Sequence, residues 1–109
     1  MKMMFRPLVS HLKETEKYQR LLGGPPDTAG IKSGHVVLQP GMSVGEHVTA
    51  GKEEILIVLR GEGEVACGEG KTLRLSPGAV AYVPPETAHD VRNTAAAVLE
   101  YIYVTAPVF

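Results

Sequence analysis

A chain of 109 residues in which 44% are apolar has the size and composition of one globular domain, with no room for a second core. Its formal net charge of −1, with lysines and arginines scattered along the chain, argues against DNA or RNA as a partner, because backbone binding needs clustered positive charge. A single cysteine, Cys67, excludes an internal disulfide framework and fits a small apolar strand residue.

In chain order, the first residues lack a sustained apolar stretch and turn polar within ten positions. Neither a signal peptide nor a membrane span is expected there, and a cytoplasmic location without a membrane partner follows as the default. Phe5 to Val9 reads as an extended edge segment and Ser10 to Leu22 as a short helix without a clean apolar stripe. Leu22-Gly-Gly-Pro-Pro-Asp-Thr-Ala-Gly30 is a loop, punctuated by glycine and proline. Residues 1–32 are thus expected to form an N-terminal arm and loop, and residues 33–109 the folded body.

From Ser33 the pattern becomes repetitive and strand-like. Short runs rich in branched residues cover 35–39, 44–49, 54–60, 64–67, 71–75, 79–83, 89–92 and 98–104, with glycine or proline turns between most of them. No run reads as the helix that a parallel crossover needs, so an all-β antiparallel sandwich or barrel is expected. The apolar tail, residues 98–109, suits core packing and contact with a second copy together. Gly61, Gly63 and Gly78 read as turn glycines, because no phosphate-binding pattern surrounds them.

Two motifs within these strands carry chemistry. Gly41, five residues, His47, one residue, Thr49, four residues, Glu54, six residues and Gly61 make the first. Gly78, five residues, Pro84, one residue, Glu86, two residues, His89, three residues and Asn93 make the second. Two imidazoles and a carboxylate are the set that a 2-His-1-carboxylate metal site uses, although histidines hydrogen-bonded in a polar pocket fit the same residues. Glu54 shares a strand face with Leu56 and Val58 and so points inward, where an unpaired carboxylate would be costly. The register around Ala50-Gly51 leaves Glu53 as the alternative carboxylate.

This spacing resembles the cupin family in both motifs. The resemblance covers about residues 35–105 and implies a double-stranded β-helix or jelly-roll barrel, commonly a homodimer, with a metal inside. Carried over residue by residue, it implies His47, Glu54 and His89 as ligands of one divalent transition metal: Fe, Mn, Ni or Zn. Thr49 stands where the family has another histidine, and Glu86 where it has a glycine. The site is therefore expected either to hold a three-ligand ion with more open positions or to have lost its metal.

Thr49, Tyr82, Tyr101 and Tyr103 are candidates for a pocket that binds a small molecule, the tyrosines fitting aromatic packing at the rim equally well. His11 is expected at the surface, and His35 either there or at the barrel mouth. Arg60 and Arg92 could hold a carboxylate but also suit a solvated outer face. The expected function is a metal-dependent oxygenase of dioxygenase type acting on a small polar or carboxylate-bearing molecule. A non-catalytic binding or sensor barrel and a sugar-type isomerase or epimerase are the alternatives, the last lacking the arginine and lysine cluster that a phosphate-bearing sugar would want.

Overall fold

A computed structural model describes residues 5–108. Nine strands are present: β1 (Tyr18–Gly23), β2 (Lys32–Leu38), β3 (His47–Val48), β4 (Lys52–Arg60), β5 (Gly63–Cys67), β6 (Thr72–Leu75), β7 (Val80–Val83), β8 (Ala88–Arg92) and β9 (Leu99–Pro107). They form a five-stranded sheet in the order β1-β2-β9-β4-β7 and a four-stranded sheet in the order β3-β8-β5-β6. Every named pairing is antiparallel. The fold is an all-β double-stranded β-helix, a jelly-roll barrel. Among the described residues, no helix is long and apolar enough to cross a membrane.

Alternation within the strands builds the core. Along β4, Glu54, Leu56 and Val58 are buried, whereas Ile55 and Ile57 are half-buried on the outer face. The inner residues meet Val65 of β5, Val91 of β8, Leu75, Val83 and Leu99, all of them nearly inaccessible to water. Burying each such side chain contributes about 1.5–3 kcal/mol, which is why the facing sheets hold together without a disulfide.

Register divides the barrel into an apolar end and a polar end. Val36, Tyr101 and Val58 are partners in one row across β2, β9 and β4; Gly34, Tyr103 and Leu56 form the next; Lys32, Thr105 and Glu54 form the last. Partners across antiparallel strands share a face. The inner surface of the large sheet therefore runs from a hydrophobic floor to a row of polar side chains at the mouth.

The N-terminal segment departs from expectation. Residues 18–23 form a strand, not the end of a helix, and Phe5 to Val9 belongs to no strand. The edge of β2 offers unpaired amides and carbonyls, and β1 satisfies them. Residues 10–13 then fold back on β1. The Leu21 carbonyl accepts from Ser10 Oγ at 2.7 Å, the His11 carbonyl accepts from Gln19 Nε2 at 2.9 Å, and the Lys13 amide donates to Gln19 Oε1 at 2.9 Å. The apolar tail is β9, the middle strand of the large sheet; its last residue, Phe109, lies outside the described residues.

Candidate metal centre

His47 and His89 face each other as a cross-strand pair between β3 and β8, with ring centroids 4.1 Å apart. Glu54 comes from the opposite sheet, and its Oε1 lies 2.9 Å from Nε2 of His89. One ligand atom from each of the three residues lies within 4.8 Å of the other two. Glu54 and His89 are buried and His47 is exposed, so the cluster sits at the boundary between core and mouth.

Backbone carbonyls set the orientation of both rings. The Gly45 carbonyl accepts from His47 Nδ1 at 3.1 Å, and the Thr87 carbonyl accepts from His89 Nδ1 at 3.1 Å. Each imidazole thereby keeps Nε2 for the cluster, the arrangement that fixes the tautomer of a metal-ligating histidine. Nε2 of His89 directed at a carboxylate oxygen demands a positive charge between them, either a proton or a cation. The hydrogen bond to Glu54 raises the His89 pKa; burial opposes this, and the Thr87 carbonyl adds to the rise. Two imidazole nitrogens and one carboxylate converging where the core meets the cavity fit a divalent transition ion.

Thr49 takes no part in that donor set. Strand β3 ends at Val48, and the Thr49 hydroxyl donates to the Pro84 carbonyl at 2.6 Å and accepts from the Thr87 amide at 3.2 Å. The Glu86 amide donates to the Thr49 carbonyl at 2.9 Å. Thr49 thus fastens the 84–87 loop, which holds the carbonyl that aims His89.

The cluster opens onto a cavity of about 620 Å³ whose walls include Val36, Val91, Tyr101 and Tyr103, with Thr49 at its edge. Tyr82 is not among them. It pairs with Ile55 on the outer face of the large sheet, is exposed, and donates to Glu53 at 2.7 Å. Glu53 accordingly points away from the cluster, and Glu54 is the carboxylate inside. Burial drives the Tyr101 phenol well above its ordinary pKa, and burial together with the Tyr18 hydroxyl does the same for Tyr103. Both therefore remain neutral donors.

The remaining candidates lie outside the cavity. His35 is buried on the outer face of β2, its Nε2 2.6 Å from Glu100, whose other oxygen accepts from Arg60 at 2.8 Å. Arg92 donates to Asp90 at 3.1 Å. His11 is exposed and Cys67 half-buried at the edge of the core. Asn93, at the end of the second motif, is a structural clamp: its side-chain amide donates to the carbonyls of Leu38 and Ala97.

Asp90 bears on the centre although the motif spacing does not mark it. Its carboxylate accepts from the Gly45 amide at 2.9 Å and so holds the loop whose carbonyl orients His47. A buried acid directly after a candidate ligand histidine is the only sequence signal it carries.

A cupin domain model matches residues 34–105, two-thirds of the chain and all of the cluster. The chain belongs to the cupin family. This cupin is 37% identical over 67 residues to an oxalate-binding protein of Thermotoga maritima, a match covering 62% of the chain and 54% of that relative, so it spans about half the length of the curated protein. Among solved structures, a cupin 2 conserved barrel domain protein from Salinispora arenicola is similar at 29% identity and a TM-score of 0.73, with 99% of this chain and 92% of that one covered. A protein from Thermus thermophilus is similar at 30% identity and a TM-score of 0.70, with 86% and 87% covered. A predicted oxalate decarboxylase from Thermotoga maritima shares the fold at 23% identity and a TM-score of 0.70, with 93% and 100% covered.

Proposed function

We propose that this cupin binds one divalent transition metal, Fe, Mn, Ni or Zn, through His47, Glu54 and His89. On that centre we propose an oxygenase acting on a small carboxylate-bearing molecule. The observation that carries the reading is the convergence of three ligand atoms within 4.8 Å beside an open cavity, with both imidazoles held by backbone carbonyls. With Thr49 turned into the loop, an ion held there would have three protein donors and would lie beside the cavity. An ion bound there would supply Lewis-acid polarisation of a substrate oxygen and a place for dioxygen beside it.

The protein's own residues do the rest. Val36, Val91 and Tyr101 exclude water from the inner part of the cavity, which strengthens every polar contact made there. The neutral phenols offer hydrogen bonds without adding charge. His47, at the mouth, is the ligand first met by an entering molecule.

A non-catalytic binding barrel is the second reading, favoured by the similarity to a protein named for oxalate binding. Metal content and oxygen uptake separate the two. The full chain, purified without chelator and reconstituted anaerobically with Fe(II), is assayed with small carboxylates in an oxygen electrode beside a His47→Ala, His89→Ala variant. Stoichiometric metal and carboxylate-dependent oxygen uptake, both lost in the variant, are expected. Metal and carboxylate binding without oxygen uptake with any first-row metal would sink the oxygenase reading and leave the binding barrel.

A further inference from the structure

We infer that Lys32, Lys52 and the paired hydroxyls of Tyr18 and Tyr103 form an anion subsite at the cavity mouth. The subsite receives the far carboxylate of an elongated dicarboxylate whose near end lies at His47, Glu54 and His89. This rests on the metal reading above and adds the substrate class and the residues that select it.

Strand register places the two ends. Lys32, Thr105 and Glu54 are partners in one row, so Lys32 points to the same inner face as Glu54 from two strands away. Two strand spacings put their Cα atoms roughly 10 Å apart. Lys52 precedes Glu54 by two residues on β4, which places it on the same face about 7 Å along the strand. Both lysines line the cavity that holds His47 and Glu54. Among the described residues neither lysine is in an ion pair, whereas Glu54 is already matched to His89. The mouth therefore carries two lysines outside any ion pair, against one exposed carboxylate in the same lining, Glu46.

The hydroxyl pair is built into the backbone. The Tyr18 and Tyr103 rings stack with centroids 6.4 Å apart and planes 16° apart, and their hydroxyl oxygens are 2.8 Å from each other. Both rings rest on Gly34, where an added Cβ would come within 2.5 Å of Tyr103 and 2.6 Å of Tyr18. One hydroxyl hydrogen is spent between the two oxygens, which leaves the other free to donate to a ligand. Lys32 is seated in a similar way, its Cε passing 3.0 Å from where a Cβ on Gly24 would lie. Between the two polar ends the walls are Val36, Val91 and Tyr101, a surface suited to methylene groups.

Tyr18 and Lys32 both precede the segment matched by the cupin domain model, which begins at residue 34. Strand β1 therefore does more than cover a sheet edge, because it contributes Tyr18 to this subsite. The lysines are rooted about 7 and 10 Å from Glu54 along and across the sheet, so a dianion with methylene groups between its carboxylates suits the two ends better than a two-carbon one. Glutarate and adipate are the right kind of probe.

The test is calorimetric titration of the full chain, both Mn(II)-loaded and metal-free, with oxalate, glutarate, adipate and the monocarboxylate valerate. Wild type is compared with a Lys32→Met, Lys52→Met variant and with Tyr18→Phe, and metal content is measured in each. Glutarate or adipate is expected to bind about tenfold tighter than valerate, and the double lysine variant to lose that advantage while valerate affinity and metal content stay the same. Tyr18→Phe, which keeps the ring stack, is expected to lose a smaller part of it, and oxalate affinity should be unmoved by either variant. Equal affinity of wild type and the lysine variant for glutarate and adipate in both metal states overturns the subsite, as does the lack of any dicarboxylate preference in wild type. A chain that takes up no metal but keeps lysine-dependent glutarate binding overturns the metal reading and leaves the subsite standing.

Discussion

His89 and Glu54 reach each other from opposite sheets, Nε2 to Oε1 at 2.9 Å, with both side chains buried. The contact joins the two halves of the barrel at the point where its core gives way to its cavity. Removing one partner leaves the other largely buried without its counter-charge. His89→Ala is expected to abolish metal uptake and to destabilise the metal-free chain by about 3 kcal/mol, because Glu54 is left as an unpaired buried carboxylate. Elemental analysis and urea unfolding read the two effects separately, and His89→Ala with undiminished metal content would show that the ligand set is wrong.

The same pair sets a pH dependence. The His89 pKa is raised above 6.5, chiefly by its hydrogen bond to Glu54. In the metal-free chain, its contribution to stability is fully present below about pH 6.5 and is lost as pH rises through the folded pKa. Metal must displace that proton, so the affinity for Mn(II) or Zn(II) should climb with pH over the range in which the stability of the metal-free chain falls. Unfolding in chelator and metal titration, each run at several pH values, should give opposite slopes. Parallel slopes would contradict the competition.

Asp90 should act on the metal without touching it. Its carboxylate fixes the Gly45 amide, and the Gly45 carbonyl fixes the His47 ring. Asp90→Asn preserves the acceptor oxygen and is expected to keep metal affinity within about threefold, whereas Asp90→Ala should lose about tenfold. Competition with a chromophoric chelator measures both, and equal affinities for the two variants would remove Asp90 from the support of the site.

Thr49 gives the contrary expectation. Its hydroxyl satisfies the Pro84 carbonyl and the Thr87 amide inside a closed loop. Thr49→Val keeps the shape but leaves the Pro84 carbonyl and the Thr87 amide without this partner, at a cost of about 1–3 kcal/mol in stability. Metal stoichiometry should be unchanged. Loss of metal at unchanged stability would mean that the hydroxyl belongs to the ligand set after all.

A second buried histidine contact lies on the opposite face of the large sheet. Burial pulls the Glu100 carboxyl upward, but hydrogen bonds from His35 and Arg60 outweigh it and hold the carboxyl below its ordinary range. Stability from Glu100 is therefore present above its unfolded pKa and is lost as pH falls through the lower folded value. Glu100→Gln should flatten the acid side of the stability profile and leave metal content as it is. An unchanged acid limb in urea unfolding would refute that assignment.

Much of this protein can be read along the chain. Branched residues in short runs, broken by glycine and proline, determine antiparallel strands because strand alternation and turn chemistry are local properties. The spacing of His47, Glu54 and His89 depends on the same local regularity, and so does the inward direction of Glu54 beside Leu56 and Val58. The strand at 18–23 was not legible, since Tyr18 to Gly23 has little periodicity of its own and takes its form from the open edge of β2. Nor could sequence separate Tyr82 from Tyr103, because which face a residue presents depends on the register of its strand, and that is fixed by hydrogen bonds to a partner far away in the chain. Thr49 was diverted from the cluster by the carbonyl of Pro84, and Tyr18 was brought to the cavity by a glycine on the neighbouring strand. Local pattern thus determined antiparallel strands, and the motif spacing with its family resemblance supplied the barrel and its three candidate ligands. Only the packing of distant strands decided between Glu53 and Glu54 and what surrounds the cluster, because those contacts exist only once the two sheets have closed.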